Sequence, residues 1–377
     1  MTKIMLIAGE PSGDALGGKV VGALKKLDPA AECFGIGGVK MADAGCDILF
    51  DANLIAVMGF VEVVKHFPII KRAWHIALTA LTLRKPDVLI LIDYPGFNLP
   101  MARWAKTNGY KVVWYISPQV WAWKEKRVKA LKKYVDRMLC ILPFEKAFYK
   151  KWNFEVDYVG HPLIDEIKKE LSKEIKLEIK SPLQYSGIIA LLPGSRKQEI
   201  TKKLPIMLQV AASMPAYQFV VAKAPGIDDS FYNLFLKNYS NVTSVRDKTY
   251  DLLKVSVAAI VTSGTATLET ALFKVPQVVC YKGNPISYFI AKKIINIKYI
   301  SLVNLILDKP VIKELIQHDM NVVNIKMELE NILNNASTRD RIKKDYEQLW
   351  DVLSNEENAS AKAAKIIVHI ASSSSSQ

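Results

Sequence analysis

The 377-residue sequence predicts an α/β protein built from two doubly wound domains. Three observations predict it. Apolar, β-branched runs recur without polar alternation, as strands buried on both faces of a parallel sheet require. Helical segments with basic outer faces separate these runs. The alternation breaks off over Leu163–Pro182 and then resumes, and the length suffices for two separate cores.

In chain order, the first half predicts strands at Ile4–Ala8, Glu32–Ile36, Val88–Asp93, Val112–Ile116, Met138–Leu142 and Asp157–Val159. The Lys- and Glu-rich stretch Leu163–Pro182 reads as a helix plus linker. Strands follow at Ile188–Leu192, Tyr217–Ala222, Asn241–Val245, Ala258–Val261 and Gln277–Cys280. From about Ile312 the pattern is helical. The serine-rich end, 372–377, is low-complexity and expected to be disordered. The expected domains are 1–165, completed by 354–371, and 183–353. Two such domains imply a cleft, with ligands beyond the carboxyl ends of the strands.

Half the residues are apolar and the net charge is +14, so the expected partners are anionic. A mean hydropathy of +0.11 is high for a soluble enzyme and points to a membrane surface. No apolar run reaches bilayer-spanning length. Met5-Leu6-Ile7-Ala8 is too short for a signal peptide, and Glu10 and Asp14 follow it, so a cytoplasmic location is expected. Cys33, Cys46, Cys140 and Cys280 are scattered without C-x-x-C and read as reduced, buried thiols. His66, His75, His318 and His369 lack metal-ligand spacing. No metal and no cofactor are expected.

Two glycine turns about seventy residues apart carry the chemistry. One is Leu191-Leu192-Pro193-Gly194-Ser195-Arg196. The other is Thr262-Ser263-Gly264-Thr265-Ala266-Thr267-Leu268-Glu269. Each ends an apolar strand and opens a helix, whose unpaired N–H groups and partial positive charge suit a phosphate. Two of them suggest a diphosphate. Arg196 adds a fixed-charge bidentate donor, and Glu269, one helical turn past Thr265, is placed to accept from a ribose diol. Capped turns that bind nothing have the same composition. There is no G-x-x-x-x-G-K-[ST] loop.

In the first half, Gly9-Glu10-Pro11-Ser12-Gly13-Asp14 follows the first strand, with Ser12 or Asp14 as helix cap. Asp14 would repel a diphosphate, so a neutral sugar or hydroxyl ligand suits this turn better. Asp93-Tyr94-Pro95-Gly96-Phe97-Asn98 follows a buried strand. Asp93 is placed to deprotonate an attacking hydroxyl, unless it caps a helix starting near Asn98. Glu10 is the rival base. His161 lies at the expected domain junction and ranks as a secondary site residue.

Asn53–Leu83 interleaves apolar residues with Lys65, His66, Lys71, Arg72 and His75. It reads as an interfacial membrane segment, contacting lipid through Val61, Val64, Phe67, Ile70, Lys71, Arg72 and Trp74. A core helix pair with basic edges is the alternative. Trp121-Ala122-Trp123-Lys124-Glu125-Lys126-Arg127 suits lipid headgroups or a phosphate. No nucleic-acid motif supports the basic charge as a nucleic-acid surface, so nucleic acid is not an expected partner.

These motifs, with Tyr115-Ile116-Ser117-Pro118-Gln119-Val120-Trp121-Ala122-Trp123, Leu142-Pro143-Phe144-Glu145 and Ser301-Leu302-Val303-Asn304-Leu305, occur in order from Lys3 to about Ile370. In them the chain resembles the lipid A disaccharide synthases of Gram-negative bacteria. The resemblance implies a GT-B fold with C-terminal helices that cross back to the first domain or swap in a dimer. It implies a metal-independent, inverting glycosyltransferase, peripheral on the cytoplasmic face of the inner membrane, monomeric or homodimeric. The substrates would be UDP-2,3-diacylglucosamine and 2,3-diacylglucosamine 1-phosphate, and the products a β-1,6-linked disaccharide 1-phosphate and UDP. Asp93 would be the base. Gly194, Ser195, Arg196, Ser263, Gly264, Thr265, Glu269 and Asn304 would bind the donor, Asn304 by family match alone. Glu10, Ser12, Gly13 and Asp14 would line the acceptor side. The competing readings are another UDP-N-acetylglucosamine enzyme of this fold (a 2-epimerase or a peptidoglycan glycosyltransferase) and a non-catalytic nucleotide sensor at a membrane surface.

Overall fold

A computed structural model describes residues 2–56, 66–177, 185–284, 288–289, 297–354 and 357–373. The chain divides into two compact units. One comprises Met1–Pro162 and Ser354–Gln377, the other Leu163–Leu353.

The first unit holds β1 (Lys3–Ala8), β2 (Glu32–Gly37), β3 (Asp47–Asp51), β4 (Val88–Ile92), β5 (Val112–Tyr115), β6 (Arg137–Cys140) and β7 (Asp157–Tyr158). They form one parallel sheet in the order β3-β2-β1-β4-β5-β6-β7. Alternate side chains serve two cores, as the twofold period of a strand dictates. Met5, Ile7, Leu89, Leu91 and Trp114 pack beneath the helices Phe67–Arg84 and Pro95–Thr107. Ile4, Leu6, Ile90 and Val113 face the opposite side, with Val20 and Leu24 of the helix Pro11–Leu27. The last helix, Ala359–Ser372, adds Ala363, Ala364 and Ile367 to this second core, so the chain's end completes its first unit.

The second unit holds β8 (Ile188–Leu192), β9 (Gln218–Lys223), β10 (Val242–Arg246), β11 (Ser256–Thr262), β12 (Gln277–Tyr281) and β13 (Lys313–Ile316). They form a parallel sheet in the order β10-β9-β8-β11-β12-β13. In each sheet the first strand lies between its second and its fourth, which makes the reversal point of a doubly wound fold.

Two strands escape the sequence reading, and both are sheet edges. β3, Asp-Ile-Leu-Phe-Asp, is short and bounded by acidic residues. β13, Lys-Glu-Leu-Ile, consists mostly of good helix formers and lies where a helical pattern was expected. The final helix runs through Ser372 rather than ending before it, and 374–377 lie outside the described residues. The four cysteines are buried and free. Among the described residues no helix is long and apolar enough to cross a membrane.

Candidate active site

At the reversal point of the first sheet, the turns after β1 and β4 leave neighbouring strands in register, Ala8 opposite Ile92. The turn after β4 is a strained elbow. Asp93 and Tyr94 both have left-handed backbones, φ 44° and 46°, a conformation that costs a residue with a side chain on the order of 1–3 kcal/mol. Four contacts hold it. Asn98 Nδ2 donates to the carbonyls of Ile92 at 3.2 Å and Asp93 at 2.8 Å. The Tyr94 hydroxyl donates to the Ile55 carbonyl. The Tyr94 ring lies on bare Gly9, where a Cβ would come within 2.0 Å of it.

The helix after this elbow begins at Pro95 with Tyr94 as its cap residue and no side-chain capping bond. Asp93 is therefore not the helix cap, and the helix starts three residues earlier than the sequence suggested. Asp93 is half-buried. Burial, the nearby Glu10 carboxylate and, against them, the Tyr94 N–H leave its pKa raised to about 6. Glu10 is half-buried at the start of the helix Pro11–Leu27, and exposed Ser12 donates its hydroxyl to it.

Asp14 does not cap the helix it belongs to, and neither does Ser12. The Asp14 carboxylate is buried and accepts from three backbone N–H groups, Gly38 at 2.7 Å, Lys40 at 3.0 Å and Met41 at 3.0 Å. It thus caps the next helix, Val39–Asp43, from outside. Gly13 is buried, and a Cβ there would meet Ala8 and Ile92 at ordinary contact distance.

The turn after β5 is also strained, with Ile116 at φ 67°. Buried Glu145 braces it from the turn after β6: it accepts from Trp121 Nε1 at 3.3 Å and from the Leu142 N–H at 2.9 Å. Its pKa is pushed up to about 7 by burial, opposed by these bonds and one from Ser117. His161 is buried, and burial with the Lys19 charge lowers its pKa to about 4, so its imidazole is neutral at neutral pH.

In the second unit the reversal point lies between β8 and β11, and both glycine turns sit there. Gly194, Ser195, Ser263, Gly264, Thr265 and Glu269 line one cavity of about 220 Å³. Gly194 and Gly264 have φ of +118° and +154°, open to glycine and strained for other residues. Gly264 precedes the helix Thr265–Leu272, whose N-terminal N–H groups face the turn. Ser263 Oγ donates to the Ile300 carbonyl at 2.9 Å. Ser195 and Glu269 also line an adjoining cavity of about 990 Å³, with Glu166 and Tyr250. Burial, then the charge of Glu166, pushes the Glu269 carboxyl up to about 7. Arg196 is exposed and pairs with Glu199 at 3.0 Å.

Asn304 stands one layer back. It is buried, and its Nδ2 donates to the Ile312 carbonyl and to Glu314 Oε1, both at 2.9 Å, while its Oδ1 accepts from the Ile312 N–H at 3.1 Å. These bonds fix the Ser301 segment, next to the Ile300 carbonyl that accepts from Ser263. The sequence reading passed over Thr262 and Glu199. The Thr262 hydroxyl is buried at the cavity with no hydrogen-bond partner among the described residues. Its signal was a hydroxyl at the last position of a buried strand; that of Glu199 was its i+3 spacing from Arg196.

Of the proposed membrane residues, Val61 and Val64 lie outside the described residues. The helix Phe67–Arg84 buries Ala73, Ala77, Ala80 and Leu81. Trp74 and Ile70 are half-buried against the core, Trp74 edge-on to Phe97 at 5.5 Å. Lys71, Arg72 and His75 are exposed, as is Phe67, at 61%. Trp123 is exposed beneath Lys124 and Arg127, at 4.3 and 5.8 Å. Among the described residues no group of three or more His, Cys, Asp or Glu is arranged to hold a metal.

A family model described as lipid-A-disaccharide synthetase matches residues 4–370. The lipid-A-disaccharide synthase of Syntrophus aciditrophicus is 40% identical, over 93% of each chain. Among solved structures, the calicheamicin glycosyltransferase CalG4 matches with TM-score 0.63 at 14% identity, over 100% of this chain and 99% of that one. The UDP-GlcNAc 2-epimerase of Neisseria meningitidis, bound to UDP-GlcNAc, matches with TM-score 0.63 at 15% identity, over 98% and 99%. These structures share the GT-B fold of two parallel-sheet α/β domains, and at such identities the likeness concerns the fold alone. With the model spanning both sheets and every turn described above, the chain belongs to the lipid-A-disaccharide synthetase family.

Proposed function

We propose that this glycosyltransferase of lipid A disaccharide synthesis joins UDP-2,3-diacylglucosamine to 2,3-diacylglucosamine 1-phosphate. The observation that carries the donor half is that both glycine turns and Glu269 line one cavity. The diphosphate meets the start of the helix Thr265–Leu272 and Arg196, and Glu269 takes the ribose. Asp93, with its pKa near 6, removes the proton from the acceptor 6-hydroxyl. The oxygen so released bonds to the donor's anomeric carbon as the bond from that carbon to the diphosphate breaks. UDP leaves with the electron pair, its charge stabilised by Arg196 and the helix start. Glu10 lies beside the base and raises its proton affinity. The reaction needs no metal in this scheme.

The purified protein in detergent micelles, given both substrates and EDTA, should form the disaccharide 1-phosphate and UDP. UDP binding without product, across several acyl-chain lengths, would contradict the reading. Activity lost to EDTA and restored by Mg²⁺ would contradict the metal-free scheme.

The exposed Phe67, Lys71 and Arg72 support docking on an anionic membrane at the cytoplasmic face. Charge reversal at Lys71 and Arg72 should release the protein from vesicles containing anionic lipid while leaving UDP affinity intact. Equal sedimentation of variant and parent would argue against this face.

A further inference from the structure

The helix Lys197–Ala212 begins directly after the Gly194 turn, and its first two turns carry Glu199 and Lys203 at i, i+4 spacing. Lys203 is only 3% exposed, an unusual state for a lysine, and burial lowers its pKa. Its ammonium lies 4.0 Å from Glu199 Oε2 and 6.0 Å from the centre of the Tyr281 ring. The other Glu199 oxygen, Oε1, accepts from Arg196 Nη1 at 3.0 Å. The carboxylate rests on the bare Cα of Gly194, where a Cβ would come within 2.5 Å of Oε2. Three charged groups therefore stand in line from core to surface, ending at the guanidinium assigned to the diphosphate.

We propose that Lys203 and Glu199 are positioning residues for Arg196. The proposal rests on the donor-site reading above. An exposed arginine loses much rotamer freedom when it binds an anion. Glu199 removes part of that loss beforehand by engaging one guanidinium nitrogen and so holding the side chain near one rotamer. Lys203, held rigidly inside the unit, fixes Glu199 in turn. Glu199 also sits in the first turn of its helix, where an acidic side chain stabilises the helix by itself. A test therefore needs a readout beyond stability.

The test is calorimetric UDP binding to the full chain, with donor KM and kcat measured alongside. Glu199→Gln and Lys203→Met should each weaken UDP about three- to tenfold, the worth of one ordinary hydrogen bond. Donor KM should rise by the same factor, with kcat changed less than about twofold. Lys203→Arg should recover most of the affinity. In an Arg196→Ala background, Glu199→Gln should have no further effect, because the residue it positions is gone. If Lys203→Met fails to fold, Glu199→Gln and the double variant decide alone. Unchanged or tighter UDP binding in Glu199→Gln would overturn the proposal, tighter binding marking Glu199 as a competitor for the anion. Additive effects with Arg196→Ala would overturn it too. Arg196→Ala that leaves UDP affinity untouched would instead remove the donor-site reading beneath it.

Discussion

Asp93 combines a left-handed backbone, partial burial and a second carboxylate nearby, and each of these destabilises the folded protein. Perturbation of this kind collects where a proton must move near neutral pH. The activity should accordingly show an acid limb with a midpoint near pH 6, rising as Asp93 ionises. Glu10→Gln removes the like charge and should move that limb to lower pH; an unmoved limb would mean that Glu10 does not tune the base. Because the folded state holds the Asp93 proton more tightly than the unfolded state, stability falls as pH rises through the ordinary carboxylate range up to about 6. Asp93→Asn should therefore be more stable than the parent at pH 7, by on the order of 2 kcal/mol. Urea unfolding of the two proteins at pH 4 and pH 7 checks this, and a stability difference independent of pH would contradict it.

The elbow after β4 depends on an element that precedes it by some eighty residues. Gly9 leaves room for the Tyr94 ring, and that ring ties the turns after β1 and β4 together. Gly9→Ala places a methyl 2.0 Å from the ring and must displace Tyr94. It should cost on the order of 1–3 kcal/mol, as overpacking does, and should reduce turnover while UDP affinity is kept. Normal turnover with parental stability would show that the elbow does not depend on this contact. Eleven strands of the two sheets were legible in the sequence, because continuous apolar runs between turns have few other readings. The two that were missed are edges, as β7 and β10 also are, and in each of the two a run of four or five residues includes two charged ones. The hydrogen bonds of Asp14 and Asn304 were not legible for a different reason. Their motifs mark the right turns, but the partners of Asp14 lie some 24–27 residues away, and those of Asn304 on, or just before, a strand the pattern did not reveal. A motif fixes which turn carries a residue and not which way its side chain bonds.

At the scale of the whole molecule, the two units keep separate cores, yet the first requires the chain's last helix. Burial of Ile367 alone contributes roughly 1.5–3 kcal/mol to that core. Ile367→Ala should lower a thermal transition by about 5 °C or more, while UDP binding, which belongs to the other unit, keeps its affinity at 25 °C. Loss of UDP binding would show that the cores are not independent.

The central claim is that one residue of the first unit performs the proton transfer while the second unit holds the nucleotide. The most direct measurement is disaccharide formation by Asp93→Asn beside its UDP affinity. The predicted result is turnover reduced at least about 100-fold with UDP binding unchanged. Near-normal turnover would remove Asp93 as the base and leave Glu10 as its rival, and joint loss of turnover and UDP binding would contradict the division of labour between the units.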